Sequence, residues 1–300
     1  MSKPVDYVAT FVAGRGATLN DRTIASVLYD AALVDAGRDW LAPDLAVDVF
    51  LPGAGHDFGD LRARLQTAVA DDPLDVILQP TSERRKRLLV ADMDSTMIEQ
   101  ECVDELADLV GLREHVAAIT ERAMRGEVAF EGALKERVAL LAGVTLAQIE
   151  TLLTRITLTP GARRLVRTMR AHGAYTALVS GGFTLFTEPV AARIGFHETR
   201  ANRLEVVDDA LTGVVVAPVL GSEAKRRALV ELREARALSQ DATLAIGDGA
   251  NDLDMLREAG LGVAFRAKPR VAQAAAARVD HADLTALLYA QGYRREEFAE

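Results

Sequence analysis

The chain of 300 residues has one cysteine, Cys102, and only 5% aromatic residues. A single cysteine excludes an intramolecular disulfide and a cysteine-based metal cluster. Scarce aromatics leave core packing to aliphatic side chains. No run approaches the ~20 apolar residues of a membrane-spanning helix, so no membrane is expected as a partner. The five histidines, His56, His115, His172, His197 and His281, are scattered without metal-ligand spacing. A basic excess is also missing: 44 acidic against 35 basic residues leave a net charge of -9, which disfavours a nucleic-acid partner. The basic runs ERRKR and AKRRAL read as a linker and a solvated helix face. The opening MSKPVDYVATFV has neither an apolar h-region nor a cleavage site, so no signal peptide and a cytoplasmic location are expected.

What is present is ordinary globular composition, 49% hydrophobic and 26% charged, enough for one large or two modest domains. Residues 1–82 alternate strand and helix patterns. Strands are expected at 7–13, 45–52 and 74–80, and helices at 23–34 and 60–70, with one further strand possible around DWLAP. The segment TSERRKR (81–87) reads as a linker into a second region, 83–300. There, apolar runs at 88–94, 175–182, 242–252 and 261–265 alternate with helical patterns such as 161–173 and 222–236. This alternation predicts an α/β fold with a doubly wound parallel sheet, whose ligands bind at the carboxyl ends of the strands. Between the first two of these strands lie about eighty residues, far beyond one crossover helix. Four helical patterns fill them, and a helical insert at about 97–158 standing over the strand ends reads as a lid.

Four pieces of sequence converge on that edge. In DMDST, Asp92 and Asp94 point the same way because strand side chains alternate. In SGG (180–182), Ser180 and Gly181 precede a helix-like stretch, where backbone amides bind phosphate oxygens. Lys225 lies in GSEAKRRAL. Asp248, Asn251 and Asp252 lie in GDGAND, a glycine-rich strand-to-helix turn. Two carboxylates crowded at the end of a buried strand repel each other unless a positive charge joins them. Clustered oxygen ligands suit a hard cation, Mg2+ above others. Asp92 is then placed to attack phosphorus, and Asp94 to protonate the leaving oxygen and later deprotonate water.

In that order, with a lid-sized insert, these motifs resemble the haloacid-dehalogenase-like phosphatase superfamily. The stretches DMDSTMIEQECVDELA, VSGGFT, ANRLE, GDGANDLDML and AFRAKP are similar to its phosphoserine phosphatase branch over about residues 86–290. The resemblance implies a Rossmann-type core and hydrolysis of O-phospho-L-serine through an aspartyl-phosphate, the last step of serine biosynthesis. It implies that Asp92, Asp248 and the backbone carbonyl of Asp94 hold Mg2+, with Asp252 behind them. Ser180, Gly181, Lys225 and Asn251 would bind the phosphate. Glu101 would meet the substrate ammonium and Arg137 its carboxylate, while Met124 and Phe130 close the pocket. The N-terminal unit resembles ACT-like regulatory domains and leaves a homodimer open. Two other readings stand beside this one: a phosphotransferase passing phosphate to an alcohol such as homoserine, and a serine-binding regulator with a vestigial site.

Overall fold

The first strand, YVATFVA, is buried along nearly its whole length, because it lies in the middle of a sheet with packing on both faces. The computed structural model describes residues 6–33, 36–52, 57–124 and 127–300. In the N-terminal unit, β1 (Tyr7–Ala13), α1 (Asp21–Asp30), β2 (Gly37–Ala42), β3 (Ala46–Leu51), α2 (Phe58–Ala68) and β4 (Leu74–Pro80) follow one another. The strands form one antiparallel sheet of order β2-β3-β1-β4. The stretch around DWLAP is thus a full strand, paired with β3. Asn20 and Asp57 cap the two helices by accepting the backbone N–H of Thr23 and Asp60. One sheet face, with Phe11, Val47 and Val49, packs against Leu28, Leu61 and Leu65 of those helices.

After the irregular stretch 81–87 comes β5 (Leu88–Ala91), then α3 (Cys102–Leu109), α4 (Arg113–Met124), α5 (Phe130–Ala139) and α6 (Leu146–Leu153). The chain continues through α7 (Ala162–Ala171), β6 (Tyr175–Phe183), α8 (Thr184–Ile194), β7 (Glu198–Val207) and β8 (Ala210–Val216). It closes with α9 (Ser222–Glu234), β9 (Thr243–Gly247), α10 (Leu253–Glu258), β10 (Leu261–Phe265), α11 (Pro269–Ala274), β11 (Ala277–Val279) and α12 (Ala286–Ala290). The second sheet has order β11-β10-β9-β5-β6-β7-β8. Its central strands are buried on both faces, as a helix-covered parallel sheet requires. Leu89, Ala91, Leu178 and Ile246 face one core, whereas Leu88, Val90, Ala177 and Ala245 face the other.

The sheet departs from the fully parallel expectation at one edge. Strand β8 returns antiparallel to β7 through Asp208 and Asp209, whose φ values of 49° and 58° make a tight two-residue turn. This hairpin carries the helical insert: Gly143 and Leu146 donate to the carbonyls of Leu211 and Asp209, and α5 packs on β8.

The two units also share packing. Val12, Ala46 and Ile77, on the far face of the N-terminal sheet, belong to the same core as Leu287, Leu288 and Tyr289 of α12. Polar contacts bracket that seam. Asp75 accepts the backbone N–H groups of Asp280 and Ala282 at 2.8 and 2.7 Å, and Arg84 joins Asp48 at 2.6 Å while donating to the Ala290 carbonyl at 2.8 Å.

Candidate active site

Strand β5 ends where its apolar side chains end, and Asp92 continues its pairing by donating to the Ile246 carbonyl at 3.0 Å. The next residues turn sharply. Met93 donates its N–H to Asp92 Oδ1 at 2.8 Å, and Ser95 takes a left-handed φ of 53°. Asp94 lies beyond the first turn, accepting the N–H of Cys102 at the start of α3 at 3.0 Å and the Ser180 hydroxyl at 3.3 Å. One carboxylate thereby links the end of β5, the insert and the SGG stretch at the end of β6. A glycine is required opposite it, since a Cβ on Gly182 would stand 2.9 Å from Asp94 Oδ2.

Lys225, on the first turn of α9, is almost fully buried and bridges two carboxylates, with 2.7 Å to Asp92 Oδ1 and 2.7 Å to Asp252 Oδ1. Asp252 also accepts the N–H of Gly249 at 3.0 Å, and it presses so closely on β9 that a Cβ on Gly247 would fall 2.3 Å from its Cγ. Asp248 accepts the hydroxyl of Thr96 at 3.1 Å.

The electrostatics follow from this crowding. Burial, then the charge of Asp252, raises Asp92 well above the usual carboxylate range, and Lys225 only partly offsets them. Burial raises Asp94 as well, opposed by the Cys102 N–H. Asp248 is pushed up to about 6 by burial and by Asp252. For Lys225 burial acts downward, but the two carboxylates outweigh it and hold its ammonium above the normal range. One ammonium among four carboxylates leaves an excess of negative charge. Asp92, Asp248 and Asp252 offer oxygens that lie within 4.8 Å of one another, an all-carboxylate set that fits a hard divalent cation.

Of the remaining expected residues, Gly181 and Phe130 meet: a Cβ on Gly181 would be 3.5 Å from Phe130 Cζ, so the ring stands over the SGG end of β6. Asn251 folds its amide against Gly249. Glu101 accepts the Ser95 hydroxyl at 2.6 Å beside Asp94. Arg137 donates to Thr120 Oγ1 at 3.4 Å; burial lowers its pKa, and the charges of Asp104 and Glu101 counter that. Met124 ends α4, and its side chain lies outside the described residues.

One residue here received no role from the sequence. Asn202 sits fully buried in β7 and spends its whole amide on the end of β6 and the loop before α9. It donates to the carbonyls of Gly181 at 2.9 Å and Leu220 at 3.1 Å, and accepts the N–H of Leu220 at 2.7 Å. It therefore ties the SGG end of β6 to the loop that launches α9 and Lys225. Its one mark in the sequence is the polar side chain in ANRLE, a stretch that carries the family resemblance. Asn202→Ala is expected to strip three partly buried backbone groups of their partner, destabilising the chain by about 1–3 kcal/mol. The loosened loops should lower kcat/KM by about 10- to 100-fold. Unfolding curves and phosphate-release kinetics check both, and an unchanged kcat/KM would show that the tie has no catalytic importance.

A hydrolase built on an α/β core, with an aspartate pair and a lysine at the strand ends, is the class defined by this arrangement. The chain belongs to the haloacid dehalogenase-like hydrolase family, whose pattern it matches over residues 89–257. A narrower kinship runs to proteins named phosphoserine phosphatase. That of Streptomyces coelicolor is 42% identical over 246 residues, covering 81% of this chain and 60% of that protein. The probable phosphoserine phosphatase of Schizosaccharomyces pombe is 37% identical over 276 residues, 91% of each chain. The crystal structure of the probable phosphoserine phosphatase from Vibrio cholerae, in unliganded form, superposes with a TM-score of 0.76 at 30% identity, covering 98% of this chain and 90% of that one. The chain thus spans 60% of the length of the Streptomyces coelicolor relative.

Proposed function

We propose that this protein is a Mg2+-dependent phosphatase that hydrolyses O-phospho-L-serine to L-serine and phosphate, completing serine biosynthesis in the cytoplasm. The observation that carries this reading is the Asp92–Lys225–Asp252 bridge beside Asp94, at the carboxyl end of β5. Asp92 attacks phosphorus, and the bond from phosphorus to the serine oxygen breaks. Asp94, whose carboxyl group burial holds above its usual range, delivers a proton to the departing oxygen. Asp94 then accepts a proton from water as the water attacks the aspartyl-phosphate, releasing phosphate and restoring Asp92. Ser180, the Gly181 amide, Lys225 and Asn251 hold the phosphoryl oxygens. Asp92, Asp248 and the Asp94 carbonyl would hold Mg2+, with Asp252 supporting them. When bound, the cation offsets the charge of phosphate and carboxylates together.

On this reading residues 83–300 form the catalytic domain, with 97–158 as its helical cap, and residues 1–82 an ACT-like regulatory or dimerisation domain. The βαββαβ order of that unit supports the ACT-like assignment. The cap selects the substrate, Glu101 meeting its ammonium and Arg137 its carboxylate, with Phe130 and Met124 closing over it.

The deciding experiment is phosphate release from O-phospho-L-serine, with and without Mg2+, beside phosphothreonine and an aryl phosphate. A strong Mg2+-dependent preference for phosphoserine is expected. Activity on the aryl phosphate alone would discard the cap assignments, and silence on all three would discard the phosphatase. Added homoserine, followed by product analysis, separates hydrolysis from transfer.

A pH effect follows from Glu101. The protein crowded around its carboxyl group, and then the charge of Asp94, push it up to about 7, although the residue keeps contact with solvent in the cleft. A raised carboxylate is protonated below that value and charged above it, so it attracts an ammonium only on the alkaline side. KM for phosphoserine is expected to fall as pH rises through about 7, with a cation beside Asp248 drawing the midpoint lower. Glu101→Gln should flatten this dependence and raise KM by about tenfold or more. A KM in that variant that still falls with pH would assign the titration to another group.

A further inference from the structure

Arg87 immediately precedes β5 and Asp92 immediately follows it, so the two mark opposite ends of the parallel sheet, roughly 16 Å apart at ~3.3 Å per residue. At the Arg87 end a cleft of about 380 Å3 opens among Arg87, Arg170, Tyr175, His197 and Arg236. The three arginines and His197 arrive from four places: the loop before β5, the last turn of α7, the chain just past α9 and the loop before β7.

Several of them are held in position. The Arg236 guanidinium lies 3.3 Å from the centre of the Tyr175 ring and donates to the Leu232 carbonyl at 3.1 Å. Arg170 donates to the Gly195 carbonyl. The His197 ring stacks on the Tyr175 ring, with centroids 4.6 Å apart and 12° between planes. Its Nδ1 receives the backbone N–H of Thr176 at 3.2 Å, so in the neutral ring Nε2 carries the proton. Burial, then the charges of Arg170 and Arg236, pushes His197 below its usual range.

Among the described residues, none of the three arginines forms an ion pair with a carboxylate. The nearby Glu198 is engaged by the Tyr175 hydroxyl at 2.8 Å and by Arg200 at 3.0 Å. A chain of net charge -9 has carboxylates to spare, yet it leaves three guanidinium groups converging on one cleft. Fixed guanidinium forks match the geometry of carboxylate and phosphate groups. The volume lies at the low end of small-molecule sites.

We infer that this cleft is a second binding site, remote from Asp92, for a small multivalent oxyanion carrying phosphate or carboxylate groups. It is independent of the phosphatase reading, because none of its residues belongs to the catalytic cluster.

The test is a titration of the intact protein, with 15N-labelled arginine, followed by side-chain Nε–Hε NMR signals. Signals are assigned with Arg87→Lys, Arg170→Lys and Arg236→Lys. Inorganic phosphate and citrate are added separately at constant ionic strength, with chloride as the control. The expected result is saturable movement of the Arg170 and Arg236 signals with one shared Kd, in the millimolar range or tighter, for at least one of the two anions. Saturation by phosphate alone identifies a phosphate-bearing ligand, and saturation by citrate alone a polycarboxylate. Movement that chloride reproduces, or no movement with either anion, would overturn the site. Site-specific signals keep this result apart from phosphate bound beside Asp92.

Discussion

Asp92→Asn is expected to lower phosphate release by at least about 10^3-fold while leaving the fold intact. The amide keeps the shape of the carboxylate but cannot attack phosphorus, so covalent catalysis is lost outright. Stability should hold, because burial and the neighbouring charge of Asp252 already oppose the ionisation of Asp92. Removing it relieves repulsion and leaves Lys225 paired with Asp252. Loss of turnover with an unchanged or raised unfolding midpoint is the predicted pair of results. Turnover within tenfold of the native enzyme would remove Asp92 as the nucleophile.

The second large effect belongs to Lys225→Met, and it is expected in stability as well as rate. The substitution deletes the one ammonium shared by Asp92 and Asp252, leaving two almost fully buried carboxylates without their counter-ion. Breaking a buried pair from one side costs about 3–5 kcal/mol. The sign with pH is fixed by which form is stranded: the ionised carboxylates suffer, so the loss should shrink as pH falls and Asp92 takes up a proton. Mg2+ should restore part of the stability, since it supplies positive charge to the same carboxylates. Turnover should fall by about 10^2-fold or more, because the phosphoryl group loses a fixed cation. Denaturant unfolding at two pH values, with and without Mg2+, checks the first claim. Equal stability of variant and native protein at neutral pH without Mg2+ would contradict it.

Much of this was legible in the sequence because the residues involved sit at strand ends, where periodicity stops abruptly. The strands expected at 7–13, 74–80 and 261–265 match β1, β4 and β10 to the residue. Asp92 and Asp94 were readable as the polar terminus of an apolar run, and Asp248 and Asp252 as a glycine-rich turn. The β7–β8 hairpin was not. Its turn is Asp208–Asp209, without the glycine that usually marks a left-handed pair, and β8 lies at an edge where burial is uneven. Asn202 was opaque for a related reason: its partners Gly181 and Leu220 are local neighbours only once β6 and β7 are paired. The arginine cleft is the extreme case. Arg87, Arg170 and Arg236 are separated by more than sixty residues each in the chain, and singly they read as ordinary surface charges.

The packing of Val12, Ala46 and Ile77 into the core of α12 bears on how the chain melts. An appended module on a loose tether shows its own calorimetric transition. A module whose apolar face is the outer wall of its neighbour's interior does not. The two sheets should therefore denature as one cooperative unit, and cutting the chain at 87 would bare the oily flank of Leu287, Leu288 and Tyr289 to water. In this chain any strain on the N-terminal sheet is therefore carried straight into the interior that Leu287, Leu288 and Tyr289 share with it.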